Sequence, residues 1–357
     1  MNILIMGASY GTLLGAKLLL AGHQIKLVCQ PSQVEAINAE GFRVYLPVRT
    51  QTQPVELDSR TLPGQALALV PADVNPVDYD LVVLAMQEPH YGSPAVSKLL
   101  GEIARSRVPC MSIMNMPPPP YLKRIRGLDY DSLEPAYTNP RVWDEFDPTL
   151  VTTSSADPQA IRPLNSKTNV LEVTLPTNFK VARFDNETAT AILRQLEQDV
   201  EAARLESPEG RIELPMKLKV HDSIYVPLAK WAMLVTGNYR CLTEDDVIDI
   251  KDAVHRKVEE SRSIYNFVVN VCIELGARRE DLVPFEKYAS AANSLIRPSS
   301  AARALKSGAT DIERADKLVQ LVGRQLGMRH PVLDTTVALV DSWLEANRTR
   351  CQRAGDA

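Results

Sequence analysis

The chain has 357 residues, 45% apolar and 24% charged, with 40 basic side chains against 44 acidic ones and a formal charge of −4. That length supports two domains, each burying its own core, and the balanced charge excludes a strongly basic binder of nucleic acid or of an anionic membrane. No apolar run reaches the roughly 18 residues of a membrane span, the first residues lack the basic start of a signal peptide, and Cys29, Cys110, Cys241, Cys272 and Cys351 form no CxxC or metal-like spacing, so a cytoplasmic protein with reduced thiols and no structural metal is expected.

The first 30 residues form the clearest unit: an apolar strand at 3–6, a glycine-rich turn, an apolar helix at 13–20, a Gly22-His23 turn and a second strand at 25–28. That order predicts a right-handed parallel βαβ unit. A strand apolar on both faces follows at 80–85, then a helix around 95–103 and a strand at 108–114, the alternation of a doubly wound sheet. From 117 to about 166 the chain is rich in proline, aspartate and tyrosine, and its periodicity is weak. The runs 171–175 and 179–184, separated by Pro-Thr-Asn, predict an antiparallel pair, and a helix at about 188–203 closes this half.

Beyond His221 apolar residues recur at three- and four-residue spacing, which predicts helices only. Thr243 with Asp246 reads as a capping-box-like start of a long helix reaching Leu275, with Gly276 past its end. Thr310 with Glu313 predicts another start, with a stop at Gly327, and Pro331 opens the last helix. The expected fold class is α/β: an N-terminal Rossmann-type doubly wound sheet over 1–220 as the dinucleotide-binding domain, plus a C-terminal all-helical domain over 221–357 for substrate and dimerisation.

A dinucleotide site needs glycine between the first strand and helix, so that backbone can approach a pyrophosphate at the helix N-terminus. The residues available are Gly7, Ala8, Ser9, Tyr10 and Gly11, a degenerate version in which Ser9 stands for the middle glycine. A purely structural βα turn would look the same, but this one opens the chain, follows a buried strand and precedes an apolar helix. The second strand ends in Cys29-Gln30-Pro31-Ser32 without the acid that accepts NAD ribose hydroxyls. NADP is therefore expected, with Gln30 and Ser32 as hydrogen-bonding candidates, although no arginine lies within the segment.

The opening Gly7-Ala8…Gly11-Thr12-Leu13-Leu14-Gly15-Ala16-Lys17-Leu18…Ala21-Gly22-His23 resembles the start of the ketopantoate reductase family. Ala229-Lys230-Trp231-Ala232-Met233 with Asn238 resembles that family's catalytic lysine helix. Thr310-Asp311-Ile312-Glu313, with Gly323-Arg324-Gln325-Leu326-Gly327…Pro331-Val332-Leu333-Asp334, resembles its C-terminal patterns. The resemblance implies a reductase passing hydride from NADPH to a 2-oxo acid, and a helical domain like the C-terminal domain of 6-phosphogluconate dehydrogenase. It implies Lys230 as general acid, the one basic residue of an apolar helix. An arbitrary lysine there would instead snorkel to solvent.

By the same resemblance Asn238 orients substrate, though an asparagine in the turn after Gly237 would read alike. Asp311 takes the place of a family glutamate and is one methylene shorter. Ser299 matches a serine that holds the substrate carboxylate, with Ser300 and Ser294 as competitors, and Asn115 matches the asparagine of an NG dipeptide at substrate and cofactor. Three departures stand out: Met116 and four prolines follow Asn115, Gln87 replaces a lysine near the cofactor, and Leu234 replaces a second asparagine. The pocket is therefore expected to be less polar than ketopantoate would want and its substrate another oxo compound.

An opine-type dehydrogenase is a second reading, but His221 and His255 stand in no convincing His-Asp motif. A third is an NADP-binding sensor that has lost its chemistry, against which Lys230 and Asp311 speak. A homodimer through the helical domain is expected from the predicted long helix. The sequence leaves the substrate open.

Overall fold

The structure is a computed structural model that describes residues 1–155, 159–163, 166–208 and 210–355. Part of the predicted 117–166 loop, at 156–158 and 164–165, lies outside the described residues. The chain divides into two compact units: Met1–Met86, His90–Arg124 and Arg141–Ile224 form the first, and Gln87–Pro89, Ile125–Pro140 and Tyr225–Ala357 the second.

In chain order the first unit contains β1 (Asn2–Met6), α1 (Tyr10–Leu20), β2 (Gln24–Val28), α2 (Pro31–Glu40), β3 (Arg43–Leu46), β4 (Val55–Asp58), β5 (Gln65–Leu69), β6 (Leu81–Leu84), α3 (Pro94–Ser106), β7 (Cys110–Ser112) and α4 (Pro119–Leu122). It continues with β8 (Val151–Thr153), β9 (Gln159–Ile161), β10 (Val170–Leu175), β11 (Phe179–Ala182), α5 (Glu187–Ala202), β12 (Leu205–Ser207), β13 (Gly210–Ile212) and β14 (Leu218–His221). Six strands pair in parallel in the order β5-β2-β1-β6-β7-β8. Strand order reverses between β1 and β6, which makes the carboxyl ends of these two strands the topological switch point.

The reason lies in the strands themselves: residues 3–6 and 81–84 are buried on both faces, as parallel central strands must be. Helix α1 is apolar almost all round and buried from Gly11 to Leu20, because both the sheet and α5 contact it. A second sheet, β4-β3-β10-β9, mixes antiparallel and parallel pairs. The predicted antiparallel pairing of 171–175 with 179–184 is thereby corrected. β10 pairs with β3 and β9, whereas β11 pairs in parallel with β14. Of the prolines after Asn115, Pro118 is the N-cap of α4, Pro119 stands at its first position, and both α4 prolines are buried.

The second unit is helical, with α6 (Ala229–Met233), a π-helical turn (Leu234–Asn238), α7 (Ile250–His255), α8 (Val258–Glu274), α9 (Phe285–Ala292), α10 (Ser300–Lys306), α11 (Ala315–Gln325) and α12 (Pro331–Gly355). Two predicted helix starts are corrected. Thr243 and Asp246 close a tight turn, Asp246 N donating to Thr243 Oγ1 at 2.9 Å and Thr243 N to the Asp246 carbonyl at 2.9 Å. The helix begins later, capped by Asp249, whose side chain accepts from Asp252 N at 2.6 Å, and it is interrupted before α8. The Thr310 hydroxyl donates to Asp311 at 3.0 Å and so forms no cap toward Glu313. Helix α11 starts only at Ala315, after buried Arg314 has paired with Asp316 at 2.9 Å. Among the described residues no helix is long and apolar enough to cross a membrane, and all five cysteines are free.

Candidate active site

The glycine turn leaves β1 at the switch point. Gly7 has φ +114°, and a Cβ there would lie 2.8 Å from the Ala85 carbonyl oxygen just beyond β6, so both conformation and space demand glycine. At Gly11 a Cβ would lie 2.6 Å from Ile5 Cγ2, so this glycine lets the helix lie close on its strand. Ser9 is exposed and does not cap α1 with its side chain; its carbonyl takes the Thr12 hydroxyl at 2.8 Å. The amides and dipole at the N-terminus of α1 favour a phosphate. Ala8 is buried and Tyr10 half-buried. The residues present therefore fit the pyrophosphate of a dinucleotide.

At the end of β2, Gln30 is exposed and acts as N-cap of α2 through its backbone, its carbonyl accepting from Gln33 N at 2.9 Å. The structure adds a residue that local sequence did not offer. Arg162, just beyond β9, donates from Nη2 to the Ala8 carbonyl at 3.2 Å. With the Gln33 amide oriented by the network it enters, Gln33 Oε1 accepts from Arg162 Nη1 at 3.0 Å. Nothing in the periodicity around 162 marks it, because its approach depends on the register of the second sheet. Asn115 is half-buried beyond the end of β7, and Gln87 is exposed and falls within the second unit.

In the helical unit Lys230 is 4% exposed, on α6 between buried Ala229 and Trp231. The next turn is π-helical, a feature frequent at functional sites. Eight residues make about 2.2 turns of α-helix, but a π-turn takes more residues per revolution, so Asn238 comes round closer to the direction of Lys230. Two residues hold this wider turn. Tyr288 on α9 donates to the Met233 carbonyl at 3.1 Å, and Gly237 leaves room for it, since a Cβ there would lie 2.0 Å from the Tyr288 hydroxyl oxygen.

Ser299 is joined to Asn238 directly, its hydroxyl donating to the Asn238 carbonyl at 2.6 Å while accepting from Ala302 N at 3.1 Å as N-cap of α10. The Asp311 carboxylate accepts from Arg348 at 2.8 Å and from Thr310, and the residue is exposed. The buried carboxylate of that motif is Glu313, 5% exposed, whose Oε1 accepts from Glu88 N at 3.3 Å. Glu88 is buried too: burial raises its pKa, while amides of Thr138 and Asn139 at 3.0 and 3.4 Å oppose the rise. Tyr239 ties the two segments together, its hydroxyl donating to the Glu313 carbonyl at 2.5 Å and accepting from Ala315 N at 2.9 Å. Sequence reasoning passed over Glu88, Tyr239 and Tyr288, and it read Glu313 only as part of a helix start and of a C-terminal pattern.

A six-stranded parallel sheet of this order, with a glycine turn at its switch point, is a Rossmann-like fold, and the second unit is helical. Residues 3–108 match the family model of ketopantoate reductase PanE/ApbA.

Solved structures share the fold over nearly the whole chain. D-mandelate dehydrogenase with NADH and anilino(oxo)acetate has a TM-score of 0.64 at 15% identity, covering 98% of this chain and 100% of that one. The 2-dehydropantoate 2-reductase of Methylococcus capsulatus has 0.65 at 15%, covering 97% and 98%. The ketopantoate reductase of Staphylococcus aureus, described as dimeric, has 0.62 at 12%, covering 97% and 100%. No curated protein matches the sequence significantly.

Proposed function

We propose that the protein is an NADP-dependent reductase of a 2-oxo acid or related ketone, with Lys230 as general acid. The observation that carries this reading is a lysine almost wholly buried beside a π-turn that is itself held in place by Tyr288, Gly237 and Ser299. NADPH, when bound, supplies the hydride. The Gly7 to Gly11 turn and the N-terminus of α1 hold its pyrophosphate, with Gln30, Gln87 and Asn115 as further contacts. Lys230 donates a proton to the oxygen of the carbonyl under reduction, and Asn238, fixed through its backbone by Ser299, orients the substrate. Asp311, paired with Arg348, assists at the substrate end.

The substrate is an oxo acid bulkier than ketopantoate, in keeping with Leu234 at the position of a polar family residue and with the aromatic 2-oxo compound in the D-mandelate dehydrogenase structure. A cytoplasmic homodimer built through the helical unit completes the reading.

The test is NADPH oxidation with a panel of 2-oxo acids running from ketopantoate to aryl-substituted compounds. Turnover of an aryl or branched 2-oxo acid above that of ketopantoate is expected. Tight NADPH binding without turnover of any member would favour a sensor, and turnover only with an added amine would favour an opine-type dehydrogenase.

A further inference from the structure

In a dinucleotide fold the adenosine ribose lies beyond the carboxyl end of the second strand, where an acid selects NAD and a nearby arginine accommodates the 2′-phosphate of NADP. In this chain the local segment Cys29 to Ser32 has neither. The tertiary structure fills the gap from 154 residues away, with Arg162 bonded to the Ala8 carbonyl of the glycine turn and to Gln33 in the first turn of α2.

Three properties make this arginine unlike a structural one. Its partners are a carbonyl and an amide, both neutral, and among the described residues no carboxylate pairs with it. Burial lowers its pKa and the neighbouring Cys29 thiol acts weakly the other way, so the guanidinium is partly desolvated with no fixed counter-charge. The residue as a whole is exposed, which leaves an anion free to approach. Gln33 accepts from both Nη1 and Nη2 and the Ala8 carbonyl from Nη2, which fixes the guanidinium in one orientation, and its charge with the Nε–H and second Nη1–H donors suits single hydrogen bonds to phosphate oxygens.

We propose that Arg162 is the residue that selects NADPH over NADH, its guanidinium binding the 2′-phosphate of the adenosine ribose. The anchoring role of Gln33 follows, since its buried amide holds the guanidinium over the β2 to α2 junction. The proposal rests on the dinucleotide-binding reading above and adds to it the source of the cofactor preference.

The experiment is a fluorescence titration of the full chain and its Arg162→Ala and Arg162→Lys variants with NADPH, NADH, 2′,5′-ADP and 5′-ADP. The expected result is that the unsubstituted protein prefers NADPH to NADH and 2′,5′-ADP to 5′-ADP. Arg162→Ala should weaken the two 2′-phosphorylated ligands at least tenfold while NADH and 5′-ADP change less than twofold. Arg162→Lys should recover part of the loss, because a point charge remains without the fixed guanidinium donors. Equal weakening of all four ligands, or a preference that survives in Arg162→Ala, would overturn the assignment while leaving the dinucleotide reading in place. Failure of the unsubstituted protein to bind either dinucleotide would overturn both.

Discussion

The hydroxyl of Ser299 donates to the carbonyl of Asn238 at 2.6 Å while capping α10 through Ala302 N. Its one proton is thereby committed, and it meets a substrate only as an acceptor unless that bond breaks. Ser299 thus positions Asn238. Ser299→Ala removes the cap and leaves a carbonyl short of its donor, so it should cost about 1 to 3 kcal/mol of unfolding free energy, read as a lower denaturant midpoint, and should raise KM. An unchanged midpoint would show that neither bond matters.

Lys230→Ala should lower kcat by roughly 10² to 10⁴, the usual loss with acid–base assistance, and leave the NADPH dissociation constant nearly unchanged. Lys230→Arg should not recover the rate, since guanidinium keeps its proton and has a different shape. Steady-state kinetics beside a cofactor titration decide this; near-normal turnover in Lys230→Ala would end the general-acid assignment.

Gly237→Ala sets a Cβ 2.0 Å from the rigidly attached Tyr288 hydroxyl oxygen and 3.1 Å from Ile250 Cγ2. Either the ring retreats and loses the Met233 carbonyl or the π-turn rewinds. A cost of about 1 to 3 kcal/mol is expected from such overpacking. Tyr288→Phe together with Gly237→Ala should recover part of the stability but not the activity, because the displaced turn carries Asn238. Full activity in the double variant would detach the π-turn from function.

Gly7→Val should abolish cofactor binding without unfolding the helical unit, because the side chain meets the Ala85 carbonyl at 2.8 Å in a backbone conformation that valine avoids. Titration with NADPH and circular dichroism of the same sample report the two halves of this statement separately. Retained binding would leave the turn a merely structural one.

Lys17 is buried in α1, and burial chiefly, with Arg204 adding to it, lowers its pKa from 10.5 to about 8. The unfolded chain therefore binds the extra proton between about pH 8 and 10.5, so this group's contribution to stability improves as pH rises through that window, and its full penalty is present below it. Lys17→Met should raise the denaturant midpoint at pH 7, and the gain should shrink toward pH 10. A gain independent of pH would mean that packing, and not the charge, is responsible.

By itself the sequence determined the elements whose physics is local. Strands β1 and β6 were legible because a run apolar on both faces has few other uses, helices α3 and α5 lie close to their predicted bounds because amphipathic spacing acts within a turn or two, and an opening proline marked the start of α12. The glycine turn was legible for the same reason, whereas Lys230 stood out only through the family resemblance. Tertiary structure alone decided which strands pair, because the hydrogen-bonding edge of β10 carries no label saying that β3 and not β11 will meet it. It decided that Thr243 and Asp246 close a turn instead of starting a helix, since two polar side chains satisfy a backbone in either way. It also decided the cation beside the glycine turn: a guanidinium reaches Ala8 from Arg162 only after the β9 edge of a second sheet has formed, and no window of sequence spans that distance.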